Sequence, residues 1–371
     1  MFVRKAIYLA VRALTRCRLA AITKISSAAE RAKIGEIEMQ QSNQAIQTVP
    51  VEFNGRGGEY FKISIVNLAL SILTLGIYSA WAKVRSMRYF YGNTQILGQS
   101  FEYHATGGQI LKGRLIAVAI FILYQILASV SVVFSLVSLV VLIVAIPWLV
   151  NASLQFTARV SSWRNVHFNF KGNYGSAFLA MIVWPTLALL TVGLLMPLAV
   201  QRFQKYIVEN HSYGDESFVF TAALGDYTRI LYPLMLSYIA LLASIVAAVL
   251  TGFNQLFLPL IIALFFVLVA FEPVLFNIFW GNVKLKQNGF LPAMKIWAYM
   301  KLFLIVNISI LLSLGLLYPW ARVRVAKFAT DSLQFEDAGT VSSIVDEQSR
   351  RGSVLAEELG GLFDVDVAIG S

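Results

Sequence analysis

Long apolar runs alternate with short basic and aromatic passages along this chain, and that alternation predicts its elements. Every residue between Arg114 and Arg159 is uncharged. A membrane-spanning helix needs roughly 20 apolar residues, so this run predicts two spans, about 114–133 and 137–158, joined by a short turn. The same pattern predicts spans at about 230–251 and 256–279, with Gly252, Phe253 and Asn254 as their turn. Single apolar helices are predicted at about 61–82, 177–199 and 302–321. VEFNGRGGEYF is glycine-rich and turn-like and leads into the first helix, while Asn93, Thr94 and GQSFEYHATGG, with glycine and alternating aromatics, predict a small β-hairpin at the membrane surface. The predicted fold is an all-α polytopic membrane protein with about seven transmembrane helices.

The pattern repeats. Thr74 to Asn93 reads TLGIYSAWAKVRSMRYFYGN, Thr191 to Asn210 reads TVGLLMPLAVQRFQKYIVEN, and the passage from Ser313 reads SLGLLYPWARVRVAKFATDS. Thr74, Thr191 and Ser313 align, as do Gly76, Gly193 and Gly315. Trp163, Asn165 and Val166 return as Trp280, Asn282 and Val283. This predicts duplication of a three-helix unit, with repeats at 51–169 and 170–286 and a partial third at 287–330. Three helices are an odd number of crossings, so successive units would be inverted, as in many secondary transporters. The charges object. The connections 83–113, 159–176, 199–229 and 280–301 are all basic, and the turns near 134–136 and 252–255 are uncharged. Lys and Arg favour the cytoplasmic side, which would put every long connection there. Seven crossings with the C-terminus inside is the reading adopted. The alternative makes 61–82, 177–199 and 302–321 re-entrant or interfacial.

Composition agrees with a membrane protein: 58% hydrophobic residues and 13% charged, about half the usual globular share of charge. The net charge of +10 predicts contact with anionic lipid headgroups and no nucleic acid. One cysteine, Cys17, excludes a disulfide framework. Residues 1–50 form a basic extension, read either as an amphipathic surface helix or as a polar tail after a true start at Met39. Residues 331–371 form an acidic tail expected in the cytoplasm against the basic loops.

With TLGIYSAWAKVRSMRYFYGNT, FEYHATGG and LGLLYPWARVR in view, the chain from about Val51 onward resembles the YjgN family of bacterial inner-membrane proteins. The resemblance implies a Gram-negative inner membrane and brings no activity, cofactor or catalytic residue with it. The middle copy departs from the pattern, with Leu198 in place of Trp81 and Trp320 and Gln201 in place of Val84 and Val323.

Candidate chemistry is sparse. An intramembrane carboxylate is a functional candidate by default, and Glu272 in FVLVAFEPVLF is the clear case, with Gln155 its counterpart one repeat earlier. They are read either as a coupling or ligand site, or as structural groups near the interface. Asn67, Gln125, Asn151, Asn277 and Asn307 are expected to hydrogen-bond between helices. The repeated basic residues Arg85, Arg88, Arg202, Lys205, Arg324 and Lys327 either anchor helix ends or ring an anionic ligand. The Thr-x-Gly ahead of each basic stretch is read as a kink or close helix contact. His104, His167 and His211 lack metal-ligand spacing, no nucleotide or nucleophile-elbow motif is present, and no cofactor is expected. Two functions are carried forward: a transport-related protein with a site near Glu272 and Gln155, and a non-transporting scaffold or lipid-organising protein. No motif argues for an enzyme.

Overall fold

The computed structural model describes residues 47–347 and residue 350. The expectations for the basic extension before residue 47, and for the acidic tail beyond residue 350, lie outside the described residues.

The helices come in antiparallel pairs. The first pair is α1 (Gly57–Leu73) with α2 (Ser79–Asn93), and the second is α3 (Gly107–Val130) with α4 (Val132–Arg159). Next come α5 (Tyr174–Leu190) with α6 (Met196–Glu209), and α7 (Leu224–Thr251) with α8 (Phe257–Gly281). The last pair is α9 (Ile296–Leu312) with α10 (Tyr318–Asp331). Short and long pairs alternate. Among the described residues α3, α4, α7 and α8 are long and apolar enough to cross a membrane, which is four helices rather than seven.

The predicted single helices 61–82, 177–199 and 302–321 are each broken in two, and the break is the Thr-x-Gly. Leu75, Val192 and Leu314 take left-handed φ values of 50°, 53° and 49°, followed by Gly76, Gly193 and Gly315 at 92°, 90° and 88°. In the first copy Gly76 N–H donates to Ser71 C=O at 2.7 Å and Leu75 N–H to Ile72 C=O at 3.1 Å. That bond pair is a Schellman stop, which satisfies the last carbonyls of a helix and needs a residue that tolerates positive φ. The hydroxyl of Thr74 then accepts from Tyr78 N–H at 2.9 Å and so starts α2. Thr191 and Ser313 do the same for Leu195 and Leu317. The motif is a reversal, not a kink. Inside α5 a π-helical turn, Leu179–Val183, precedes Pro185. It relieves the clash that proline makes with the carbonyl four residues back.

This corrects the repeat. The 117-residue offset contains two helix pairs, hence four helices, so successive copies stand the same way up.

Short strands connect the pairs. In chain order they are β1 (Gln47–Pro50), β2 (Glu52–Phe53), β3 (Thr94–Ile96), β4 (Gln99–Tyr103), β5 (Ser161–Trp163) and β6 (Val166–Phe170). The others are β7 (His211–Tyr213), β8 (Glu216–Ser217), β9 (Val219–Phe220), β10 (Val283–Lys284), β11 (Gly289–Pro292) and β12 (Leu333–Asp337). The predicted surface hairpin therefore exists, but it is not separate. One sheet runs β2-β3-β4-β5-β6-β7-β8, a second pairs β9 with β10, and a third runs β11-β12-β1. Only Phe218 separates β8 from β9 and only Val51 separates β1 from β2. Leu285 and Asn288 exchange backbone bonds of 2.9 Å between β10 and β11. Val51 N–H donates to Leu333 C=O at 3.1 Å at the seam. Strand follows strand around a closed ring, which removes the open edges that short sheets otherwise expose.

Each helix pair leaves the ring and comes back to it. Arg56 and Tyr89 bond at the ring end of α1 and α2, and Asn67 reaches Ala82 C=O at 3.5 Å nearer the tip. Asn151 ties α4 to Gly172, Asn173 and Tyr206, and Asn277 makes a two-way bond with the Met294 backbone. Asn67 and Asn151 reach a neighbouring helix as expected, whereas Asn277 bonds the connection ahead of α9. Asn307 instead bonds within α9, to Phe303 C=O.

Candidate functional site

The ring has an apolar interior. Val51, Ile96, Trp163, Val166, Tyr213, Leu285, Leu333 and Phe335 are buried there together, with Phe101, Phe168, Phe218 and Phe290 packed against them. Inward residues alternate with outward ones along a strand, which is why β12 buries Leu333 and Phe335 but exposes Gln334. Below the ring, residues 340–347 are helical, and Val341 and Ile344 press into the same cluster. Asn288, 1% exposed, fastens this plug. Its Nδ2 donates to Thr340 Oγ1 at 2.6 Å and to Leu285 C=O at 3.2 Å, and its Oδ1 accepts from Ala338 N–H at 2.9 Å.

Between the ring and the helix ends lies a chamber of about 690 Å³. Its roof is the ring ends of alternate helices: Phe90 and Tyr91 from α2, Ala158 from α4, Val208 from α6, Phe279 from α8 and Ala329 from α10. Phe168, Trp163 and Phe335 from the ring, and Val341 from the plug, complete it. The polar wall groups are turned back on the protein. Thr94, Thr157, Ser161 and Thr330 donate to the carbonyls of Phe90, Ser153, Thr157 and Ala326, each one helical turn earlier. Trp163 Nε1 donates to Gln99 C=O, and the Tyr213 hydroxyl to Trp163 C=O. Burial pushes the Tyr213 phenol up to about 12. It also pushes the His211 imidazole down from its ordinary value, against a weaker opposing contact with the Ile207 carbonyl, 2.7 Å from Nδ1. His211 is therefore neutral near pH 7. No carboxylate, ammonium or guanidinium lines the chamber among the described residues.

Water fills this chamber badly. At ~30 Å³ each, about twenty waters would need two to four polar partners apiece, and the wall supplies few.

The sequence-derived candidates lie elsewhere. Glu272 is exposed on α8 and Gln155 is exposed on α4, in different long pairs. The structure does not bring them together, and the chamber wall begins past both, at Phe276 and Thr157. The basic residues sit on the returning arms of the short pairs. Arg85 bonds Asn67 Oδ1 and the Tyr78 hydroxyl, and Arg88 holds the carbonyls of Tyr103 and Ala105. Arg202 lies over Trp184 at 5.8 Å, Arg324 over Trp320 at 5.1 Å, and Lys205 pairs with Glu209 at 3.7 Å. Lys327 is exposed on α10. With a rise of 1.5 Å per residue, Arg85, Arg202 and Arg324 stand about 10–12 Å above the ring. They are spread over three helices and do not converge on one ligand.

Beyond that basic level the tips are apolar and bare: Leu75 is 94% exposed, Val192 87% and Leu314 94%. The tryptophans of the repeat have a second job that sequence reasoning missed. Trp81 lies against Gly107 at the start of α3, and Trp320 against Gly57 at the start of α1, so closely that a Cβ on either glycine would fall 2.5 or 2.8 Å from the ring. In the middle copy Leu198 replaces the tryptophan and Leu224 stands where Gly107 does, so neither partner of this contact is kept.

A family model described as "Bacterial protein of unknown function (DUF898)" matches residues 48–362. The chain is 36% identical over 152 residues to "Inner membrane protein YjgN" of Salmonella typhimurium, covering 39% of this chain and 37% of that protein. It is 28% identical over 199 residues to the protein of that name in Escherichia coli O157:H7, covering 50% of this chain and 48% of the relative. It is 34% identical over 144 residues to that of Escherichia coli K12, covering 38% and 36%. The chain thus spans less than half the length of these curated relatives. No solved structure matches it.

Proposed function

Because the chain belongs to the DUF898 family of bacterial inner-membrane proteins of unknown function, we propose that it organises anionic lipid on one face of that membrane and does not carry a solute across. The observation behind this reading is that every helix pair leaves from and returns to one strand ring. Repeats standing the same way up lack the inverted symmetry that motivates alternating access.

In this reading α3, α4, α7 and α8 cross, and the ring lies on the cytoplasmic side with the basic connections. The three short pairs enter from that side and turn back at Leu75, Val192 and Leu314. Their exposed apolar tips sit among acyl chains, and Arg85, Arg202 and Arg324 lie at headgroup depth, where each basic residue near an anionic surface adds about 1 kcal/mol.

Single cysteines at Ser212 and Ser342, in a Cys17→Ser background, test the topology by side-specific labelling. Both label only from the cytoplasm. Periplasmic labelling of Ser212 would overturn the reading. In nanodiscs of mixed phosphatidylglycerol and phosphatidylcholine, the triple variant Arg85→Gln, Arg202→Gln, Arg324→Gln retains less phosphatidylglycerol than the unmodified protein. Equal retention refutes the headgroup role.

A further inference from the structure

The chamber inside the ring carries an inference that goes beyond the leaflet reading and does not depend on it. We infer that it is a binding site for one long hydrocarbon chain, an acyl or prenyl chain held between the ring and the helix ends.

Three observations fix the ligand class. The volume, about 690 Å³, falls within the ~300–1,000 Å³ of small-molecule sites. The wall is carbon: phenylalanine, tryptophan, leucine, isoleucine, valine and alanine dominate it, and it bears no charged side chain among the described residues. A phosphate, carboxylate, sugar or metal ion would enter with nothing to replace its hydration. The wall hydroxyls of Thr94, Thr157, Ser161 and Thr330 already donate to backbone carbonyls. Binding sites for polar molecules keep a few polar groups aimed at the ligand, and these groups are committed to the fold.

The geometry also accounts for small residues where large ones would close the space. Ala326, Ala329 and Thr330 present a low stretch of wall on α10, while Trp163, Phe168 and Phe335 supply aromatic wall from the ring. The plug at 340–347 closes the lower end with Val341. Two of the roof helices, α4 and α8, are long and apolar enough to cross a membrane, so a source of such chains adjoins the site. The chain could be the tail of a membrane lipid or a free fatty acid or isoprenoid, and both present the same hydrocarbon to this wall.

The test uses the full chain, purified in detergent and washed until bulk lipid is gone, then extracted and weighed for bound lipid per protein. About one chain per protein is expected. A retained phosphoglycerol ester identifies a lipid tail, and a free acid or prenyl compound identifies the other source. Ala329→Trp, which fills the low wall, lowers retention at least tenfold. Because that variant could misfold, a second measurement uses unmodified protein and palmitic acid carrying a diazirine. Photolabelled peptides should contain Trp163, Phe168 or residues 326–330. Labels confined to the lipid-facing surfaces of α3 and α4, or no stoichiometric chain in the washed protein, would overturn the inference. Neither readout depends on headgroup charge, so its failure is distinct from failure of the leaflet reading.

Discussion

Asn288→Ala is the sharpest probe of how the ring is closed from below. The side chain is 1% exposed and makes three bonds, to Thr340, Leu285 and Ala338. Alanine would strand the Ala338 amide, which is itself buried at 7% exposure. A buried unsatisfied donor costs about 1–3 kcal/mol, and the lost bond to the Thr340 hydroxyl adds about 1. The loss is therefore about 2–4 kcal/mol, and it falls on the plug, which also packs through Val341, Ile344 and Val345. At 1.4 kcal/mol per tenfold, local opening of 340–347 becomes roughly 30- to 700-fold more populated. Hydrogen exchange read by mass spectrometry resolves this, because local openings expose their own amides first. Amides in 340–347 should exchange faster by that factor, while those in the middle of α8 are unchanged. Thr340→Ala removes only one of the three bonds and should show a smaller effect. Unchanged protection of 340–347 in the alanine variant, or equal loss throughout the molecule, refutes the claim that Asn288 is the fastener.

Two further outcomes follow from contacts described above. His211 is held neutral by burial, so its folded pKa lies below the ordinary value near 6.5. The unfolded chain takes up the proton first as pH falls, so this contribution is complete above about pH 6.5 and is lost on acidification through the folded pKa. The thermal midpoint in detergent should drop between pH 7.5 and 5.5 more in the unmodified protein than in His211→Phe, and parallel drops refute it. Gly107→Ala meets the Trp81 ring and should destabilise by about 1–3 kcal/mol through overpacking. Gly225→Ala meets open space and should be neutral or stabilising by up to about 1 kcal/mol, with thermal unfolding as the readout for both.

The long helices were legible because hydropathy reports them directly, as in the uncharged run ending at Arg159; the turn at Gly252 was marked, but the first break falls at Ser131 and not at 134–136. The reversal at Thr74–Gly76 was not. Its residues are as apolar as the helix before it, and only the glycine distinguishes it. Missing that turn gave one helix where there are two, and with it an odd count and an inverted repeat. The basic connections spoke against inversion, and the structure sides with them. The ring was illegible for another reason. Its strands are two to five residues long, too short for a period-two pattern, and its closure joins Val51 to Leu333, a pairing that no local pattern encodes. The repeated Trp163 and Trp280 were noticed, but as connections rather than as chamber wall. Glu272 drew attention because a carboxylate in an apolar run is conspicuous, yet the chamber is built from residues that are not.

The seam between β1 and β12 also governs how the protein is made. Strand pairs such as β3–β4 and β5–β6 close over short loops and can form as each segment leaves the ribosome. The last junction needs Leu333–Asp337, the last strand in chain order among the described residues. Assembly thus ends in one late, long-range step, of the kind that loop closure makes slow. Until then the nascent chain stands at the membrane with two unpaired strand edges, open to other nascent chains and to the proteases that survey them.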